Sequence, residues 1–182
     1  MIATTAAAPP TPMSAPLFIH VAPVTPTLEA GVRAIELARE QHAYVGDPRF
    51  NLDDALRDPS SQAMAILANG RVIGFYRLDF APRAVLGRSL GTPHAGLRAF
   101  CLDRRVQGHG LAARALGALL AHFRRAHPHT PLLALAVHCS NLPALAAYRR
   151  AGFVPTGELM PGGRAGPQHV MLAACSDRLP YA

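Results

Sequence analysis

The stretch Phe100-Cys101-Leu102-Asp103-Arg104-Arg105-Val106-Gln107-Gly108-His109-Gly110-Leu111-Ala112 decides how this chain is read. An apolar run, Leu97 to Leu102, ends in polar residues. A glycine-rich turn follows, and then a long segment with apolar residues at helical spacing. The order predicts a strand, a tight loop and a helix. Such a loop directs several unpaired backbone N–H groups at one point, where the helix dipole adds partial positive charge. Gly108 and Gly110 lack a Cβ, so an anion can come close to the backbone there. A diphosphate fits that description, and so does a plain strand-to-helix turn that binds nothing.

A second segment sits about thirty residues on, after another apolar strand pattern: Asn141-Leu142-Pro143-Ala144-Leu145-Ala146-Ala147-Tyr148-Arg149-Arg150-Ala151-Gly152-Phe153. Together the two segments resemble the GCN5-related N-acetyltransferase (GNAT) family. That family's loop reads Gln/Arg-x-x-Gly-x-Gly/Ala, with Gln107, Gly110 and Ala112 in those places here. Its later signature is Asn, a short helix carrying Tyr, then Gly-Phe, filled by Asn141, Tyr148, Gly152 and Phe153. The likeness covers residues 63–173 well and 17–62 weakly.

The resemblance implies an α/β fold: a central mixed, mostly antiparallel, twisted sheet of about six to seven strands, flanked by about four helices. It implies acetyl-CoA as cosubstrate. The cofactor would lie on Gln107, Gly108, His109, Gly110, Leu111 and Ala112, with its pantetheine arm along Phe100, Cys101 and Leu102. Asn141 would bond the pantetheine or an ordered water, and Tyr148 would be the general acid for the leaving thiolate. As a plain helix cap, Asn141 needs no cofactor. As a buried aromatic, Tyr148 needs no catalytic role. The acceptor implied is a small-molecule amine, and dimers are common in that family, so a homodimer is among the expected assemblies.

The strand Leu97 to Leu102 holds no carboxylate, although the family often draws its general base from the central strands. Asp79, Glu36, Glu40, His138 and His169 are the candidates for a base or for acceptor contacts, and a solvated or structural role competes for each. The stretch Arg164-x-Gly166-Pro167-Gln168-His169 either borders the acceptor or closes a hairpin.

Composition narrows the alternatives. The chain has 182 residues, enough for one domain with a substantial core. Met1 to Pro16 is rich in Ala, Pro and Thr and predicts a disordered tail before a single domain at 17–182. The formal charge is +7, and all eighteen basic side chains are arginine, which fits a GC-rich bacterial genome. Aromatic residues are sparse and no nucleic-acid recognition motif is present, so nucleic acid is not the expected partner. No apolar run approaches the roughly 20 residues that cross a bilayer. Three widely spaced cysteines, Cys101, Cys139 and Cys175, suit a reduced, cytoplasmic setting. The spacing of His122, His127, His129, His138 and Cys139 matches no zinc pattern, so no metal is expected. Three readings compete with the enzyme: a non-catalytic acyl-CoA sensor on the same fold, a nucleotide-binding turn, and an arginine-driven nucleic-acid binder. No Gly-Lys-Ser/Thr follows the turn, which weakens the second.

Along the chain, Leu17 to Val21 predicts a first strand, and Thr25-Pro26 opens a helix reaching Gln41. Asn51 is expected to cap a short helix ending near Pro59. Ala63 to Ala68, Asn69-Gly70 and Arg71 to Phe80 predict a hairpin with a type I′ turn. Helices beginning near Leu111 and Asn141 flank a strand at 132–138, and two strands, 154–159 and 169–174, finish the sheet.

Overall fold

The Asn69-Gly70 turn forms as expected: both residues have positive φ, 47° and 78°. It joins β2 (Ser61–Ala68) to β3 (Arg71–Asp79). The computed structural model describes residues 17–83, 85–162 and 166–176. The expected tail at 1–16 and Arg164 lie outside the described residues. Around the hairpin, β1 (Ile19–Pro23), β4 (His94–Leu102), β5 (Leu132–His138), β6 (Val154–Met160) and β7 (Gln168–Ala174) complete one sheet in the order β1-β2-β3-β4-β5-β7-β6. Every neighbouring pair is antiparallel except β4 and β5. The sheet is flanked by α1 (Pro26–Arg33), the single-turn α2 (His42–Val45), α3 (Pro48–Arg57), α4 (Leu111–Ala126) and α5 (Leu142–Ala151). This is the mixed α/β fold that the resemblance implies.

Two apolar layers cover the sheet. On one face α4 buries the stripe Leu111, Ala115, Leu116, Leu119, Leu120 and Phe123, as its periodicity predicts. On the other, Val32 of α1 and Leu52 and Ala55 of α3 pack over Ala65, Leu67 and Phe75. Each fully buried leucine or phenylalanine contributes about 1.5–3 kcal/mol of transfer free energy.

Three local readings are corrected. The first helix stops at Arg33 rather than Gln41. Beyond it the chain is drawn against the loop after β4: Asp103 accepts the Glu36 N–H at 3.2 Å, and the Arg104 N–H donates to the Glu36 carbonyl at 2.8 Å. A helix would have spent those groups internally, and Ile35 and Leu37 are instead buried as an extended segment before a 3₁₀ turn at Arg39–Gln41. The cap of α3 is Asp47, not Asn51, with Pro48 at the first helical position. The strand β4 starts at His94, earlier than Leu97.

The feature that shapes the rest is in β4. Phe75 faces Cys101 and Arg77 faces Arg98, so Tyr76 stands opposite two residues, Ala99 and Phe100. This is a bulge, with Ala99 at φ 52°. Opposite it the strands approach so closely that a Cβ on Gly74 would lie 2.5 Å from the Cys101 carbonyl oxygen. On its other side β4 pairs with β5 only through His94, Ala95 and Gly96. From Leu97 onward the two strands separate.

Asp103 closes this end of the sheet. Besides the Glu36 N–H it accepts from the Arg105 backbone at 2.9 Å and the Arg105 guanidinium at 2.8 and 2.5 Å. The Arg105 hydrogen bonds, foremost, hold its carboxyl at about 2. A folded-state value below the unfolded one means the stabilisation is complete above about pH 4 and is lost as pH falls toward 2. Because Arg105 is largely exposed, the contribution is about 1–2 kcal/mol. Urea denaturation should therefore find Asp103→Asn less stable than wild type at pH 7, with the difference vanishing near pH 2. An equal gap at both pH values would refute the linkage.

Candidate active site

The separation of β4 from β5 opens a cleft of about 760 Å³. Phe100, Cys101 and Leu102 form one wall and Ala136, Val137 and His138 the other. The Leu102 carbonyl is taken by the Gln107 side-chain amide at 2.7 Å. Gln107 also exchanges side-chain hydrogen bonds with Gln41, at 2.8 and 3.2 Å. This residue thus fastens the turn both to β4 and to the segment before α2. Its own N–H leans on the Arg104 carbonyl at 3.4 Å, so Gln107 is less a ligand donor than the turn's anchor.

The donors begin one residue later. Among the described residues no acceptor takes the N–H of Gly108, His109 or Gly110. Gly110, left-handed at φ 71°, is the N-cap of α4, and no side chain caps that helix. Its first-turn N–H groups are orphaned by geometry, and no acidic residue lies in its first turn. An added Cβ on Gly108 or Gly110 would meet nothing within 4 Å, so the space in front of the turn is open. Gly108, Gly110, Leu111 and Ala112 line the cleft, whereas the His109 ring turns back to the Gln107 carbonyl at 2.8 Å and lies outside the cleft wall. A diphosphate fits these donors.

Tyr148 enters from α5. Asn141 caps this helix, its side chain accepting from the Ala144 N–H at 3.3 Å, and it too lines the cleft. The helix ends at Gly152, φ 100°, whose N–H donates to Arg149 while the Phe153 N–H donates to the Tyr148 carbonyl. These are the paired bonds of a Schellman cap. The apolar contact that accompanies such caps is here Tyr148 against Phe153, edge to face with centroids 5.5 Å apart. Tyr, Gly and Phe of the sequence signature are thus one packing unit that fixes the phenol ring. Phe100 touches it from β4 at 6.1 Å. The Tyr148 side chain is buried in the cleft wall, and among the described residues its hydroxyl has no hydrogen-bond partner. Burial, and secondarily Cys101, pushes the phenol above its ordinary pKa. Burial likewise pushes the Cys101 thiol up to about 12, which leaves it unreactive.

The other candidates separate. Glu40 lines the cleft. Asp79 does not: it is 3% exposed, ion-paired with Arg98 at 3.1 Å, and accepts the Ala81 N–H. Its place at the far end of β3 makes it a structural counter-ion, not a base in the cleft. Glu36 pairs with Arg104 outside the cleft. His169 sits in β7 between Val137 and Leu159, also outside it. His138 is in the cleft with both ring nitrogens engaged, one by the Gln168 amide at 2.9 Å and one by the Gly166 carbonyl at 3.2 Å. Five polar lining residues were not read as part of the site in the sequence: Gln41, Tyr44, Asn51, Arg98 and Ser140. Only Arg98 left a signal, as a lone charge inside an apolar strand. Among the described residues no three His, Cys, Asp or Glu side chains are grouped to hold a metal ion. No described helix is long and apolar enough to cross a membrane.

Known proteins resemble this chain in sequence or in fold. A spermine/spermidine N(1)-acetyltransferase of Bacillus subtilis is 26% identical over 143 residues, covering 79% of this chain and 92% of that protein. The aminoglycoside acetyltransferase AAC(6')-Ib, solved with paromomycin and acetyl-CoA, superposes with a TM-score of 0.67 at 21% identity, covering 86% of this chain and 93% of that one. A spermidine N-acetyltransferase of Vibrio cholerae, solved with CoA and spermine, superposes with a TM-score of 0.62 at 16% identity over 86% of this chain and 95% of that one. Residues 30–153 match the sequence profile of the acetyltransferase (GNAT) family, and the chain belongs to that family.

Proposed function

We propose that this protein is an acetyl-CoA-dependent N-acetyltransferase that passes an acetyl group directly to a primary amine of a small molecule, polyamine-like or amino-acid-like, or of a peptide. The observation that carries the reading is convergence. The uncapped N-terminus of α4, the parted strands β4 and β5, and the unpartnered phenol of Tyr148 all face one cleft.

Acetyl-CoA, when bound, supplies the thioester to be attacked and the thiolate that leaves. The chain's own groups do the rest. The N–H groups of Gly108 to Ala112 hold the diphosphate. The β4 edge beside the bulge offers backbone groups to the pantetheine amides and an N–H to the carbonyl oxygen. Tyr148 donates a hydrogen bond to the departing sulfur and so assists the break of the C–S bond; because a phenol is a weaker acid than a thiol, it helps chiefly by this hydrogen bond. Asn141, already a helix cap, keeps its amide N–H groups for the cofactor or for water.

The amine must arrive unprotonated. With an alkyl ammonium pKa near 10.4, about one molecule in 2,500 is neutral at pH 7, equivalent to about 4.6 kcal/mol. Glu40 is the carboxylate of the cleft that can draw off that proton through water.

Two tests follow from these roles. In an acceptor-panel assay of CoA release, Tyr148→Phe should lower kcat roughly 10²-fold while the calorimetric Kd for CoA moves less than about threefold. Since burial raises the phenol, Tyr148 keeps its proton throughout neutral pH, and the wild-type rate should climb with pH to about 9 without a descending limb. Unchanged turnover in the variant would remove Tyr148 from the reaction. Separately, Gly108→Val should weaken CoA binding about tenfold or more by filling the open space before the turn, with a stability cost of about 1–2 kcal/mol for the left-handed backbone. Retained CoA affinity would mean that the diphosphate lies elsewhere.

A further inference from the structure

The chain neutralises its acids with arginine. Arg33, Arg77, Arg88, Arg98, Arg104 and Arg105 hold every described carboxylate other than Asp47, which caps α3, and Glu40. Glu40 makes no ion pair or side-chain hydrogen bond with a described residue, and it lines the cleft. It is the cleft's single formal negative charge among the described residues.

Among the described residues the cleft has one arginine as well. Arg98 enters its wall beside the bulge, with its side chain 45% exposed. Asp79, buried behind it, takes one hydrogen bond from a terminal nitrogen at 3.1 Å. A guanidinium has five N–H donors, and no other described residue accepts from this one. Asp79 is also shared with Arg77 at 3.8 Å, so it offsets Arg98 incompletely. Tyr44, Asn51, Ser140 and Gln168, which also line the wall, carry no formal charge.

A polycation is poorly served by such a site. Its first ammonium would meet Glu40, and each further one would meet Arg98 or neutral groups, within a chain of formal charge +7. A molecule with one amine and one carboxylate is matched at both ends, because Arg98 offers a carboxylate its unused fork of donors.

Building on the acetyltransferase reading, we infer that the acceptor is an aminocarboxylate, amino-acid-like or a short peptide, whose ammonium is met by Glu40 and whose carboxylate is met by Arg98. In this respect the chain departs from the polyamine and aminoglycoside acetyltransferases it resembles. Glu40 and Arg98 act as specificity determinants, one for each charge.

The test is a matched panel: amino acids and dipeptides, the same amines without the carboxylate, spermidine and kanamycin, each assayed for acetylated product. It is run on wild type, Arg98→Met and Glu40→Gln, with acetyl-CoA affinity measured by calorimetry as a check on folding. Wild type should favour the best aminocarboxylate over its carboxylate-free counterpart by about tenfold or more in kcat/KM. Arg98→Met should bring that ratio toward one through KM, with acetyl-CoA affinity within about twofold of wild type. Glu40→Gln should lower kcat/KM for both kinds of amine. Higher kcat/KM for spermidine or kanamycin than for any aminocarboxylate would overturn the inference and leave the acetyltransferase reading standing. So would a preference that survives Arg98→Met. Failure to bind acetyl-CoA, or no acetylated product from any arm, would overturn both.

Discussion

Everything in the cleft depends on the parting of β4 from β5. Two adjacent parallel strands ordinarily satisfy each other's backbone groups along their length. Here the pairing covers three residues and stops, while the bulge at Ala99 and Phe100 turns β4 aside. Bulges persist when their surroundings over-determine them. Gly74 supplies that constraint, since any side chain there would push β3 off the Cys101 carbonyl. The orphaned groups of β4 face a cleft that a ligand rich in amides is suited to fill.

The elements around the gap are fastened to it from several directions. Asp103 binds the end of β4 to the segment after α1, and Gln107 ties the glycine turn to both β4 and Gln41. The glycine turn and the Gln41 side of the cleft are therefore held by the same few hydrogen bonds. The glycines are left to present their N–H groups, and the polar side chains around them do the anchoring.

Much of this was legible in the sequence where the signal is local. Asn69-Gly70 encodes a turn because its two residues tolerate the required φ. Gln107 to Ala112 encodes a strand-loop-helix passage by its glycines. Tyr148, Gly152 and Phe153 encode the end of a helix. What escaped depends on partners far along the chain. Nothing near Arg33 says that the backbone at Glu36 will be claimed by Asp103. Asp79 is one candidate base among several in the sequence, and in the fold Arg98 and Arg77 enclose it. Glu40 became distinctive only because the other carboxylates proved to be committed elsewhere, which no sequence window can display.

The Schellman closure of α5 ties the Tyr148 ring to the last turn of a helix. The Phe153 N–H bonds the carbonyl of the residue that carries the phenol, and the two rings pack on each other. The phenol of Tyr148 is thus seated at a terminus, where helices fray first, and is kept from fraying by the residues immediately after it. Loosening that one turn would let the phenol wander while the sheet and the glycine turn before α4 stayed intact. On the role proposed for Tyr148, a protein in that condition would bind acetyl-CoA as before and turn over slowly.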